Sequence, residues 1–137
     1  MPPRVRPGEP NPQETPVKVN QVYVNVNSHQ PEVLTAFYKD IVGLEPRPEM
    51  GEQAFSLGPS GTFGIDGHSD VHAGANEPAR VLIDLFVDNV KAERERMESL
   101  GATFIRKEGP EMWGGITSTF VDPDGNYGQL MQLPSGS

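Results

Sequence analysis

From residue 17 to residue 27 apolar and polar positions alternate. Val22, Val24 and Val26 point one way, and Gln21, Tyr23, Asn25 and Asn27 the other. Period-two alternation predicts a strand with one face on a core. Ser28-His29-Gln30-Pro31-Glu32 then opens a helix, with a capping residue, an early proline and an acid in the first turn. Val33, Leu34, Phe37, Tyr38, Ile41 and Val42 recur at helical spacing, and Gly43 stops the helix. Residues 53–57 and 62–66 read as two strands joined by Gly58-Pro59-Ser60-Gly61. After a polar connector the pattern restarts. Val81, Ile83, Leu85 and Val87 alternate with Leu82, Asp84, Phe86 and Asp88, and Asp88-Asn89 caps a second helix. Its inner stripe is Val90, Arg94, Met97 and Leu100, and Gly101 ends it. Residues 102–107, 116–121 and 129–133 are the remaining strands, with a Gly-rich loop at 109–115.

The pattern is a βαβββ unit written twice. The strand, the capped helix and the glycine stop all recur. So does a turn: Pro59-Ser60-Gly61-Thr62-Phe63-Gly64-Ile65 matches Pro123-Asp124-Gly125-Asn126-Tyr127-Gly128-Gln129 at the proline, both glycines and the aromatic. An internal repeat is a strong architectural signal. It predicts an α+β domain over residues 17–137, with module 1 at about 17–67 and module 2 at about 80–133. Two such modules form a curved, mostly antiparallel sheet around a cavity, with helices outside. Residues 1–16 hold six prolines and almost nothing apolar, and are expected to form a flexible arm.

Composition narrows the function. The 137 residues suit one domain, and no cysteine is present for a disulfide, a thiolate metal site or a thiol nucleophile. A net charge of −8 argues against nucleic acid and anionic membrane as partners. No apolar run approaches the roughly 20 residues that span a bilayer, and the N-terminus lacks a signal-peptide segment. A cytoplasmic soluble protein is expected.

The landmarks Ala36-Phe37-Tyr38-Lys39-Asp40-Ile41-Val42-Gly43-Leu44, Val87-Asp88-Asn89-Val90, Leu100-Gly101-Ala102, Trp113-Gly114-Gly115 and Phe120-Val121-Asp122-Pro123-Asp124-Gly125-Asn126 resemble the vicinal oxygen chelate superfamily. That superfamily includes glyoxalase I, bleomycin-resistance proteins and extradiol dioxygenases. The resemblance covers roughly residues 18–133. It implies the fold more firmly than any one activity, since the fold hosts many. It also implies homodimerisation.

Metal-dependent members place up to four ligands on the first and last strands of the two modules. The corresponding positions here are Gln21, Ile65, Leu82 and Gln129. Two hydrocarbons and two neutral amides are a poor donor set for Zn²⁺, Ni²⁺ or Fe²⁺. A one-residue slip would bring in Asp66, and a two-residue shift Asp84.

The resemblance, with this donor set, points to a metal-independent protein that binds a small organic molecule, sequestering an antibiotic or an aromatic metabolite without a cofactor. Gln21, Tyr23, Asn25, Ile65, Leu82, Asp84, Phe86, Trp113, Gln129 and Met131 are the candidate ligand-binding residues. Asp84 interrupts an apolar strand and is a candidate counter-charge or acid/base, or else a structural ion-pair partner. Tyr23, Phe86, Trp113 and Met131 are planar or apolar walls, or else ordinary core or dimer-seam residues. His68-Ser69-Asp70-Val71-His72 is read as a solvated loop. The alternative is a lyase, isomerase or dioxygenase-like enzyme with a shifted ligand set or with Asp84 as acid/base. A third reading is a small interaction module whose cavity its own side chains fill.

Overall fold

In the computed structural model, which describes residues 7–8 and 16–135, the valine alternation becomes strand β1 (Val22–Ser28). The expected proline-rich arm lies almost wholly outside the described residues. Helix α1 (Pro31–Ala36) follows and runs on as a π-helical turn, Phe37–Val42. The remaining elements are β2 (Ala54–Leu57), β3 (Gly61–Gly67), β4 (Ile83–Phe86), α2 (Val90–Ser99), β5 (Thr103–Pro110), β6 (Ile116–Val121) and β7 (Tyr127–Gln132).

These strands make two separate mixed sheets. Sheet 1 has the order β1-β3-β2 and sheet 2 the order β4-β7-β6-β5. In each module the first strand runs parallel to the last, while the other pairings are antiparallel. The architecture is α+β and modular, as the sequence pattern predicts, but the sheets do not close around a central cavity. Module 1 is also a strand short. Where module 2 has β5, module 1 has a 3₁₀ turn at Pro48–Met50 and a single bridge between Pro46 and Phe55. Prolines at 46 and 48 explain this, because each removes a ladder donor.

Register sorts each sheet into two faces. In sheet 1, Val24 pairs with Phe63 and Val26 with Ile65. In sheet 2, Leu85 pairs with Leu130 and Phe104 with Phe120. All of these belong to one apolar core with Leu34, Phe37, Tyr38, Val42, Val90 and Met97 from the helices. Full burial of each large apolar side chain contributes on the order of 1.5–3 kcal/mol.

The π turn brings two adjacent aromatics into that core. Gly43, in the left-handed region at φ 86°, donates its N–H to Tyr38 O, one residue further back than α-helical geometry allows. Phe37 and Tyr38 then sit edge to face at 5.2 Å. Tyr38 reaches Phe63 of sheet 1 at 4.7 Å, and Phe37 reaches Phe120 of sheet 2 at 5.9 Å. The helix thereby joins the two modules.

The Asp122-Pro123-Asp124-Gly125-Asn126 turn completes the junction. Asp122 accepts hydrogen bonds from Asp124 N, Asn126 N, Asn126 Nδ2 and, at 2.8 Å, the Tyr38 hydroxyl. Asp124 accepts from Gln30 Nε2 at 2.8 Å, and its carbonyl takes the Ala75 N–H of the connector. Burial pushes the Asp122 carboxyl above the usual aspartate range. Burial, with Asp122 beside it, pushes the Tyr38 phenol up as well.

No helix among the described residues is long and apolar enough to cross a membrane.

Candidate functional site

The main cavity, about 690 Å³, opens between the modules. Its size lies in the range of small-molecule sites. Module 1 contributes the end of the first helix, Val42–Leu44, and residues 56–58 at the end of β2. Module 2 contributes Asp84–Val87 along β4, Glu93, Arg96 and Met97 from α2, and Leu130 from β7. Val42, Leu57, Leu85, Met97 and Leu130 make an aliphatic floor.

The cavity forms where it does because β4 is an edge strand. Val87 donates its N–H to Met131 O on the β7 side. The alternate residues Asp84 and Phe86 therefore direct their main-chain groups toward the open edge. Phe86 is 60 % exposed there.

Charge in the cavity is unevenly compensated. Arg96 Nε donates to Glu93 at 2.9 Å, and its two Nη groups donate to the helix-end carbonyls of Ile41, at 3.0 Å, and Val42, at 2.8 Å. The guanidinium is thereby matched with both a carboxylate and a helix C-terminus. Asp84 makes no side-chain hydrogen bond or ion pair among the described residues, and burial raises its carboxyl above the usual aspartate range.

The candidate residues fall into three groups. Asp84 and Phe86 belong to the cavity's lining at the β4 edge, although register sets their side chains on the open face, alongside Gln129 and Met131 rather than Leu85 and Leu130. Tyr23, Asn25, Gln129 and Met131 stand on the sheet faces turned away from the core. Asp84 pairs with Gln129 and Phe86 with Met131 across β4 and β7, while Thr119 and Thr117 oppose the latter two across β6. Gln129 Nε2 donates to Thr119 Oγ1 at 3.2 Å, and Thr117 Oγ1 donates to Met131 Sδ at 3.3 Å. The Tyr23 hydroxyl lies over Gly64, so close that a Cβ there would meet it at 2.0 Å. Gln21 and Leu82 sit just before β1 and β4 and are exposed. Trp113, 46 % exposed, folds its ring against Gly115 in the β5–β6 loop, apart from the cavity.

Ile65 is the exception. It is 1 % exposed and packs in the core beside Phe63. Position 65 shares the core face with Val26, and the open-face neighbours on β3 are Thr62, Gly64 and Asp66. The cause is parity: one residue along a strand is the opposite face.

A divalent ion does not fit these residues. The four positions implied by resemblance supply two exposed or half-buried amides, one exposed leucine and one core isoleucine. Among the described residues no group of three or more His, Cys, Asp or Glu side chains gathers within metal-binding reach. His68 and Asp70 are solvent-exposed in the connector, where the His68 Nδ1 accepts the Asp70 N–H.

Sequence reasoning missed Glu93 and Arg96, and the Ser56–Gly58 and Val42–Leu44 walls. The inner stripe expected on the second helix included Met97, which lines the cavity, and Arg94, which does not. Arg94 is indeed buried, but it is held by Glu98 and Glu108 rather than facing the cavity. The sequence did carry a signal for Arg96, since a basic residue in a last turn can reach a neighbouring helix end.

A sequence model of the glyoxalase-like domain matches residues 22–131. No curated protein matches the sequence. Among solved structures, the chain is similar to a glyoxalase/bleomycin resistance protein/dioxygenase from Nocardioides. That pair is 20 % identical, with a TM-score of 0.66 over 91 % of this chain and 90 % of the other. It is also similar to a glyoxalase/bleomycin resistance protein/dioxygenase family enzyme from Burkholderia phytofirmans, 17 % identical with a TM-score of 0.65 over 81 % and 96 %. A superfamily member from Sphaerobacter thermophilus is 18 % identical, with a TM-score of 0.60 over 85 % and 98 %. Structural likeness at this identity establishes the fold, and the sequence match over most of the chain establishes the family. The chain belongs to the glyoxalase-like domain family.

Proposed function

We propose that this protein binds a small organic molecule without a divalent metal, as a sequestering member of the glyoxalase/bleomycin-resistance type. The observation that carries the reading is the inter-module cavity, aliphatic at its floor and polar at its mouth. Apolar walls with few polar groups are the usual composition of a small-molecule site. The donor chemistry at positions 21, 65, 82 and 129 supports metal independence. The Nocardioides and Burkholderia structures bear names that join glyoxalases, bleomycin-resistance proteins and dioxygenases, so a binding role is within the range of functions attached to this fold.

A panel of aromatic and aliphatic compounds, titrated calorimetrically into chelator-treated protein, tests the reading. Binding is expected with no change on adding Zn²⁺, Ni²⁺ or Fe²⁺. Binding that appears only with a stoichiometric metal would contradict it.

A second reading is favoured by Asp84 alone. An exposed-edge carboxyl held above its ordinary range suits a general acid or base. Under that reading Asp84→Asn abolishes turnover of a bound compound, while a binding protein shows no turnover in either form.

A further inference from the structure

We propose that Arg96 is the latch of the inter-module cavity and the Tyr38–Asp122 junction its hinge, so that a ligand reaches the cavity floor when the modules part at Arg96. This deepens the small-molecule reading above, and the ligand's part in it rests on that reading.

The floor needs such a movement. Val42, Met97 and Leu130 line the cavity, yet all three are buried. Val42 belongs to module 1 and the other two to module 2, so uncovering them separates the modules. No strand pairing joins the two sheets. What joins the modules differs between the two ends of the first helix. At its start and middle the hydrogen bonds run to the 122–124 turn, from Gln30 Nε2 to Pro123 O and Asp124 and from the Tyr38 hydroxyl to Asp122. Phe37 and Tyr38 pack on Phe120 beside them, at 5.9 Å and 6.4 Å. Tyr38, Asp122 and Asp124 are buried, so parting the modules there would strand polar groups away from their partners. That end suits a hinge. At the cavity end, the inter-module hydrogen bonds among the described residues are the two from Arg96 to the Ile41 and Val42 carbonyls. Gly43, left-handed at φ 86°, ends the helix and leaves these carbonyls to accept from outside it. Glu93 holds the guanidinium from the other side at 2.9 Å. The Arg96 and Glu93 side chains are 40 % and 39 % exposed. Water can replace exposed bonds of this kind at small cost, which suits a latch.

The sequence holds no cysteine, so a pair of spin labels can be introduced without side reactions. Ser60→Cys and Lys91→Cys, both exposed, put one label on each module, close in sequence to the cavity residues Gly58 and Glu93. Pulsed dipolar spectroscopy should give one narrow distance distribution with Arg96 intact and a longer, broader one in Arg96→Gln. Arg96→Lys keeps the charge without the planar fork and should fall between them; it carries the test if Arg96→Gln does not fold, as circular dichroism would show. Stopped-flow mixing with 2-naphthylmethanol, followed by naphthyl fluorescence, reads the gate itself. Severing the latch should raise the association and dissociation rates together, by about tenfold, and leave Kd nearly unchanged. Unchanged distances, or a weaker Kd with no faster association, overturn the latch while the small-molecule reading stands. Failure of 2-naphthylmethanol to bind counts against the cavity reading, and the distances then decide the latch alone.

Discussion

Gly64 stands beneath the Tyr23 phenol, where even a methyl group has no room. The strand conformation at Gly64 suits any residue, so the requirement is steric. Gly64→Ala would push the half-exposed Tyr23 ring aside and is expected to destabilise the protein by on the order of 1 kcal/mol, the low end of the overpacking range. In a Tyr23→Ala background the same change should cost much less, and chemical denaturation of the four variants measures the coupling. Equal costs in both backgrounds would show that Tyr23 does not cover Gly64. At the same scale, Ile65 shows the limit of motif alignment. The repeated Pro-x-Gly-x-aromatic-Gly turn sets Ile65 opposite Gln129, yet strand parity puts Ile65 in the core and Gln129 on the open face. A repeat in sequence fixes the turn, and the register of each strand decides the face.

The elements are tied together by a few polar junctions. Tyr38→Phe removes the hydroxyl that reaches Asp122 and is expected to cost about 1 kcal/mol. Asp122→Ala strips the acceptor from three donors as well as Tyr38, at a cost on the order of 2–4 kcal/mol. Thermal melts of the two variants compare them, and a loss for D122A no greater than that for Y38F would contradict the shared-acceptor account.

These junctions also set the pH dependence. Arg94 holds the Glu108 carboxyl down to about 2. A carboxyl depressed in the folded state contributes stability that is present above its ordinary value of 4.5 and lost as pH falls toward 2. Glu108→Gln should flatten the acid limb of a plot of melting temperature against pH. The Tyr38 phenol is raised, so the folded state favours the neutral form and stability falls as pH climbs past the ordinary tyrosine value of 10.0. Tyr38→Phe should flatten the alkaline limb. An unchanged limb in either variant refutes the corresponding pair.

Much at the scale of elements was legible in the sequence. The alternation at Val22, Val24 and Val26, the Asn89 cap and the Gly43 stop each have a local cause, and each stands where the pattern puts it. The π turn was not legible. Phe37 and Tyr38 fit an α-helical stripe equally well, and only their partners in both sheets decide the wider turn. The cavity was not legible for the same reason. Arg96, Leu57 and Leu85 are distant in sequence and meet only through the way the modules pack.

For the whole molecule, two separate sheets leave the edges of β1 and β4 without strand partners. We propose a homodimer, for which the unpaired edge of β1 with Val22 exposed at its start, and Val17 and Val19 exposed in the segment before it, supply apolar surface. Sedimentation equilibrium should give twice the chain mass, and Val22→Lys should shift it to the monomer. A monomeric wild type would contradict this assembly. The central claim concerns the inter-module cavity, and one measurement addresses it most directly. Methyl-labelled, chelator-treated protein is titrated with 2-naphthylmethanol and followed by ¹H–¹³C spectra, with Met131 on the open face as the internal control. The account predicts saturable shifts at Leu57, Leu85, Met97 and Leu130 with Met131 unmoved. Shifts that require added metal, or that fall on Met131 and spare the cavity floor, would contradict it.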